Sequence, residues 1–278
     1  MTTDLAALIN KPQFPKAATY DPDWVFDNQM GPNALWLVEW LMDTFPLEPG
    51  MRVLDLGCGK ALTSIFLAKE YDVQVTAADL WIAPHHNFRR AQEAGVGDRV
   101  CPVHAEAHAL PFAYGFFDAA ISIDAYLYFG ADLLYLNYLA NFLKPGAPIG
   151  VVVPALMRPF ENGDVPEHLT TPQENGKVFW EDECRTFQTA QWWLDLWKPC
   201  NKVTGVEAEA MPDGWRLWAE WERALEKSGK GIFKTDGEAI ERDGGRYLGF
   251  ARVTARRSEA NTVNLYDGSM CARMGVDV

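Results

Sequence analysis

An α/β fold with a doubly wound, mostly parallel sheet is what this sequence predicts, and three observations predict it. Apolar stretches of strand length at 51–56, 73–79, 99–105, 117–125 and 148–155 alternate with helical patterns at 61–70, 84–95 and 131–146. Such alternation builds parallel sheets with helices on both faces. The strand stretches are apolar nearly throughout instead of alternating with polar residues, as expected when both sheet faces are covered. Third, the first strand runs into a Gly-x-Gly turn, Gly57-Cys58-Gly59, which opens directly into a helix pattern.

Taken in order, the elements are justified as follows. Residues 33–45, NALWLVEWLMDTF, read as an amphipathic helix within an N-terminal helical lid of residues 1–50. Strand 51–56 consists of β-type residues and is stopped by the glycine turn. Helix 61–70 carries Leu62, Ile65 and Phe66 at helical spacing. Strand 73–79 ends on Asp79, and helix 84–95 has Pro84 in its first turn and Gly95 at its end. Helix 131–146 is stopped by Pro145-Gly146. Residues 158–190, rich in Pro, Gly, Glu and Asp, read as an irregular insertion. Helices at 190–197 and 214–229 and a final strand pair at 202–211 and 246–256 complete the pattern. The expected organisation is therefore a lid at 1–50, a core domain at 51–257 with a cap insertion at about 157–200, and a tail at 258–278.

Composition narrows the function. The chain has 278 residues, 48% hydrophobic and 23% charged, with a formal net charge of -13. That charge argues against a nucleic-acid partner, since phosphate backbones need Lys and Arg surfaces. The one basic cluster is RVTARR, Arg252 to Arg257. The five cysteines, Cys58, Cys101, Cys184, Cys200 and Cys271, show no C-x-x-C pair and no zinc spacing, which suits reduced thiols. His85, His86, His104 and His108 match no metal pattern either, and no metal is expected. No stretch is long and apolar enough to span a bilayer and the first residues lack a signal-peptide pattern, so a cytoplasmic chain with no membrane partner is expected. The sequence leaves the oligomeric state open, a homodimer being one option.

A strand, a Gly-x-Gly turn and a helix start together form a ligand site, because glycine lets backbone approach the ligand. A phosphate loop requires G-x-x-x-x-G-K-[ST]; here Lys60 is followed by Ala61 and position 54 is leucine. The dinucleotide fingerprint requires a glycine where Leu62 stands, which counts against an NAD-linked oxidoreductase. The stretch DLGCG, Asp55 to Gly59, resembles motif I of the class I methyltransferases that use S-adenosyl-L-methionine (SAM). Asp79 stands at the end of the second strand, AEAHALPF follows the third, FFDAAISIDAYLYF forms the fourth, and LKPGAPIGVVVPA resembles the turn into the fifth. The set covers roughly residues 30–155 and looks most like the small-molecule enzymes of quinone-biosynthesis and glycine-betaine type. Two positions depart from the pattern: Ala61 replaces the third glycine, and Glu106 replaces an aspartate.

The resemblance implies a Rossmann-like, seven-stranded methyltransferase fold with a helical and irregular cap. It implies a SAM site formed by Asp55, Gly57, Cys58 and Gly59, by Asp79 and Leu80, by Ala105, Glu106 and Ala107, and by Ile123 and Asp124. Met30 and Gly31 are expected to fold over the methionine end, with Tyr20 and Trp24 as further lid candidates. The product would be S-adenosyl-L-homocysteine (SAH), and the acceptor a small molecule. In-line displacement from a sulfonium needs alignment and a dry pocket more than a nucleophile. A base is needed only for an acceptor that must lose a proton; Asp124, Tyr126 and His108 are the candidates, with Tyr128 beside them. Trp180, Trp192, Trp193 and Trp197, and Trp215, Trp218 and Trp221 at every third position, read as cap core. The sharper reading makes them an aromatic wall that, with Glu181, Asp182 and Glu183, favours a cationic amine. A SAM-binding module without turnover is the alternative that Ala61 keeps open.

Overall fold

The computed structural model describes residues 9–231 and 234–259. Of the expected tail only Ser258 and Glu259 fall within these, and Cys271 lies outside them. Strands β1 (Arg52–Leu56), β2 (Gln74–Asp79), β3 (Val100–His104), β4 (Ala119–Ile123), β5 (Pro148–Leu156), β6 (Val203–Ala210) and β7 (Leu248–Arg257) form one sheet. Its order is β3-β2-β1-β4-β5-β7-β6. The first five strands pair in parallel, and β7 pairs antiparallel with both β5 and β6. The helices are α1 (Pro22–Asn28), α2 (Ala34–Met42), α3 (Leu62–Glu70), α4 (Pro84–Glu93), α5 (Tyr135–Leu139), α6 (Glu167–Thr170), α7 (Ala190–Trp197), α8 (Gly214–Ser228) and α9 (Gly237–Asp243).

Strand order reverses between β1 and β4. From β1 the chain winds outward through β2 and β3, then returns to lay β4 on the other side of β1. Loops leaving the carboxyl ends of two such strands part to opposite faces and open a crevice, the usual ligand position in this architecture. Here the parting loops are Gly57–Gly59 after β1 and Asp124–Ala125 after β4.

The core explains the apolar strands. All nine residues of β5 are buried. Helix α2 and the turn after it pack directly on this strand at Gly150, where a Cβ would come within 2.9 Å of Leu41 and 2.7 Å of the Phe45 ring. On the cap side, Trp193 and Trp197 of α7 and Trp221 of α8 are fully buried. Both α7 indoles pack against Tyr126, at centroid distances of 5.8 and 5.5 Å.

Two elements differ from the sequence expectation. The helix expected over 131–146 is α5 plus a 3-10 turn at Ala140–Phe142, because Asp132 Oδ1 accepts the Leu134 and Tyr135 amides and delays the helix start. Helix α9 was passed over by the pattern reading; it is only seven residues long and ends at Gly244 in the left-handed region. RVTARR lies in the final strand, as expected, and two of its arginines are turned into the structure: Arg252 and Arg257 are 9% exposed, and Arg252 donates to the Trp40 carbonyl and pairs with Glu209.

Candidate active site

The β1 turn is built by backbone conformation. Gly57 and Gly59 take φ of 76° and 52°, and their neighbours lie close: a Cβ on Gly57 would collide with that of Ala125, and one on Gly59 would lie 2.9 Å from Met30 Sδ. The Gly57 and Cys58 amides both donate to the Ala78 carbonyl, at 2.8 and 3.2 Å, which ties the turn to β2. Ala61, in the third-glycine position, is fully buried and left-handed at φ 62°, as the N-cap of α3. The fold accommodates alanine there at the ordinary cost of a left-handed residue, about 1 kcal/mol.

Acids line this turn. Asp55 is buried on β1; its Oδ2 accepts from Thr63 and Ser64 hydroxyls at 2.5 and 2.6 Å, whereas its Oδ1 has no partner among the described residues. Burial, chiefly, pushes its pKa up to about 6, and Asp79 adds to the rise. Asp79 at the end of β2 accepts three amides: Gly59 at 2.8 Å on Oδ2, and Trp81 and Ile82 at 2.8 and 2.9 Å on Oδ1. Leu80 beside it is exposed, and the Ala105 amide donates to the Asp79 carbonyl at 3.0 Å. The Glu106 carboxylate folds back on its own turn. It accepts the His108 amide at 2.9 Å, and His108 Nδ1 lies 2.8 Å from its other oxygen; these bonds hold its pKa below the usual carboxylate range. Ala107 is buried, its carbonyl accepting the Tyr135 hydroxyl at 3.0 Å.

At the end of β4, Ile123 is buried and Asp124 turns into the left-handed region at φ 57°. No hydrogen-bond donor among the described residues reaches the half-buried Asp124 carboxylate. Desolvation, with Glu222 adding repulsion, raises its pKa to about 8. Gly31 lies over it so closely that a Cβ would collide with Asp124 Oδ2. The segment Gln29–Pro32 therefore runs across both halves of the crevice, Met30 on Gly59 and Gly31 on Asp124. Asn33 ends the segment as the N-cap of α2. Tyr20 and Trp24 stack on each other, and Tyr20 packs on Phe66 of α3.

The catalytic candidates separate. Asp124 faces the crevice. His108 is exposed and engaged with Glu106. Tyr126 is fully buried among Trp193, Trp197, Phe129 and Tyr135, with its hydroxyl unpartnered and its ionisation strongly opposed by burial. The structure does not present Tyr126 to the crevice. Sequence reading missed Glu222 of α8, a buried acid whose pKa burial raises to about 7. Its signal, one glutamate inside a Trp-rich amphipathic helix, does not differ from an ordinary solvated position.

The tryptophans divide between the two sequence readings. Trp193, Trp197, Trp218 and Trp221 are core. Trp180 and Trp192 line a cleft of about 960 Å³ beyond β5, together with Phe160, Phe187, Glu181 and Asp182. None of the residues expected to hold the cofactor lines that cleft.

A family model described as a methyltransferase domain matches residues 53–146. That span runs from β1 through the Pro145-Gly146 turn and holds every crevice acid described above except Glu222. Residues 53–146 are a methyltransferase domain. The 2-methyl-6-phytyl-1,4-hydroquinone methyltransferase of Synechocystis is 29% identical over 182 residues, 65% of this chain and 52% of that protein. The chain spans 39%, 43% and 52% of the length of the first curated relatives it matches. Among solved structures, geranyl diphosphate C-methyltransferase from Streptomyces coelicolor, in complex with Mg2+, geranyl diphosphate and SAH, superposes with a TM-score of 0.63 at 15% identity, covering 91% of this chain and 87% of that one. The [4+2]-cyclase SpnF superposes with a TM-score of 0.61 at 19% identity, covering 84% and 85%. The methyltransferase domain and its strand order thus share the fold of these proteins. Fold alone does not select a reaction. Among the described residues no helix is long and apolar enough to cross a membrane.

Proposed function

We propose that this chain transfers a methyl group from SAM to a small-molecule acceptor. One observation carries the reading: Asp55 Oδ1, a fully buried carboxylate oxygen without a partner, beneath a glycine turn at the switch point of the sheet. A buried acceptor of this kind calls for a donor, and a cationic one best. The α-ammonium of SAM supplies both hydrogen bond and charge, so the residues fit the cofactor.

When bound, SAM supplies a methyl group on a sulfonium, a leaving group that needs no activation. The chain's own residues do the rest. Asp55 holds the ammonium, and Gly57, Cys58 and Gly59 allow backbone to approach. Asp79 keeps lone pairs for the two ribose hydroxyls beside its three amide bonds. Leu80 offers apolar surface to the base, with Ala105, Glu106 and Ala107 along its edge. Ile123 and Asp124 border the reacting end, and Met30 and Gly31 exclude water, which favours in-line alignment. For a protic acceptor the ionised form of Asp124 takes the departing proton, and its raised pKa makes that carboxylate a stronger base than an ordinary one. His108 holds Glu106, and Tyr126 has no chemical part.

The finer reading is that the acceptor is an amine. It is supported by Asp124, an acid at the end of β4 whose neighbour Glu222 is also an acid. Calorimetry with SAM and SAH on the wild type and on Asp79→Ala tests the cofactor. Micromolar binding that the variant loses supports the reading, and no binding to the wild type overturns it. Turnover of methyl-labelled SAM against panels of amines and phenols tests the acceptor class. Phenols methylated ahead of amines would remove the amine.

A further inference from the structure

We propose that Asp124 and Glu222 form a charge-sensing pair at the reacting end of the crevice, holding a sulfonium in preference to the neutral thioether left after transfer. The proposal rests on the methyl-transfer reading above.

The geometry comes from three elements that meet at Gly31. On one side it lies so near Asp124 that a Cβ added to it would collide with Oδ2. From the other, Trp221 Nε1 donates to the Gly31 carbonyl at 2.8 Å. Glu222 follows Trp221 on α8 and is 7% exposed. Its Oε1 accepts from Trp218 Nε1 and its Oε2 from the Asp236 amide, both at 3.2 Å. Neither bond supplies a full positive charge.

The charged surroundings are few. Asp124 feels Glu222 from α8, and it acts on Tyr128 from the turn that follows β4, a neutral phenol whose pKa is raised. Behind Glu222 stand Asp236 and Lys177, which pair with each other at 2.9 Å. The covering segment Gln29–Pro32 carries no charge. Among the described residues Asp124 therefore has an acid for a neighbour and no cation beside it, so near neutral pH it keeps its proton. That carboxyl is the one pushed to about 8, chiefly by desolvation.

A cation entering beside it reverses the balance, since an opposite charge within a few ångströms favours the carboxylate. The proton leaves to solvent, and the carboxylate and sulfonium remain as a pair. A neutral thioether in the same place gives no such gain. Below about pH 8 the preference for sulfonium over thioether then grows with pH, by up to tenfold per unit for one proton released. Asp55 contacts a part common to both ligands, so its titration cancels in the comparison.

The experiment is calorimetry of SAM and of SAH binding, each in two buffers of different ionisation enthalpy, from pH 6 to pH 9. The difference in heats counts protons. The expected result at pH 7 is release of close to one more proton with SAM than with SAH, vanishing by pH 9. Asp124→Asn, whose side chain tolerates the left-handed backbone, should abolish the difference and still bind SAH. Glu222→Gln should move its midpoint to lower pH. Equal proton release with both ligands, or a difference that survives in Asp124→Asn, overturns the proposal and leaves the methyl-transfer reading intact. Binding of neither ligand to the wild type overturns both.

Discussion

Trp221 donates its indole hydrogen to the Gly31 carbonyl at 2.8 Å, joining two residues 190 positions apart. This bond fastens the segment that crosses the crevice to helix α8. Replacing Trp221 by Phe keeps an apolar ring against Phe26 and Trp36 and removes the donor. The expected cost is about 1 kcal/mol for a neutral hydrogen bond, with some added for the smaller ring. The sharper readout is amide hydrogen exchange, which should speed up over residues 29–33 and stay unchanged in β1, β4 and β5. Uniform acceleration would mean that the bond does not fasten this segment in particular.

Ala61 carries a methyl group at φ 62° where glycine is at ease. Ala61→Gly should therefore stabilise the chain, by about 0.5–1 kcal/mol after the extra flexibility of the unfolded glycine is counted. Urea unfolding reads this as a higher midpoint with an unchanged slope. A lower midpoint would mean that the buried methyl group contributes more packing than the left-handed backbone costs.

Two buried acids and the half-buried Asp124 set the pH dependence of stability. Asp55, Glu222 and Asp124 have pKa values raised to about 6, 7 and 8, mainly by desolvation. A carboxyl raised in the folded state binds more protons there than in the unfolded chain. Unfolding free energy then falls as pH rises from the unfolded value, near 4, through the folded one. Asp55 alone accounts for about 2–3 kcal/mol by this linkage. The acids with lowered values, Glu106, Glu238 and Glu241, are already ionised above pH 5 and add no slope there. Urea midpoints should therefore be higher at pH 5 than at pH 8, and Asp124→Asn should flatten the upper part of that change. A midpoint that rises from pH 5 to pH 8 would contradict the assignment.

Tyr126 has its ring in the cap core and its hydroxyl without a partner. Removing an unsatisfied buried hydroxyl relieves its desolvation. Tyr126→Phe should hold or raise stability, by up to about 1 kcal/mol, and leave SAM binding and turnover unchanged. Loss of turnover with intact SAM binding would return Tyr126 to the chemistry.

Chain-local physics carried most of the fold. Strand periodicity, the Gly57–Gly59 turn and the acid closing β2 are encoded over a few residues each, because backbone angles and two-face burial act at that range. The seven-stranded order follows once those elements are recognised as one known pattern. Elements that depend on competition were less legible. The start of α5 turned on a single Asp132 side chain capturing two amides, and α9 is too short for a periodic signal. Tertiary structure alone decided the protonation and the cover of the site. Glu222 lies 98 positions from Asp124 in sequence, and only the folding of α8 against the Gly31 segment brings their charges together away from water. Likewise only packing sent Trp193 and Trp197 into the core and left Trp180 and Trp192 on the cleft wall. Desolvation depends on what the rest of the chain places around a group, and no stretch of sequence states that by itself.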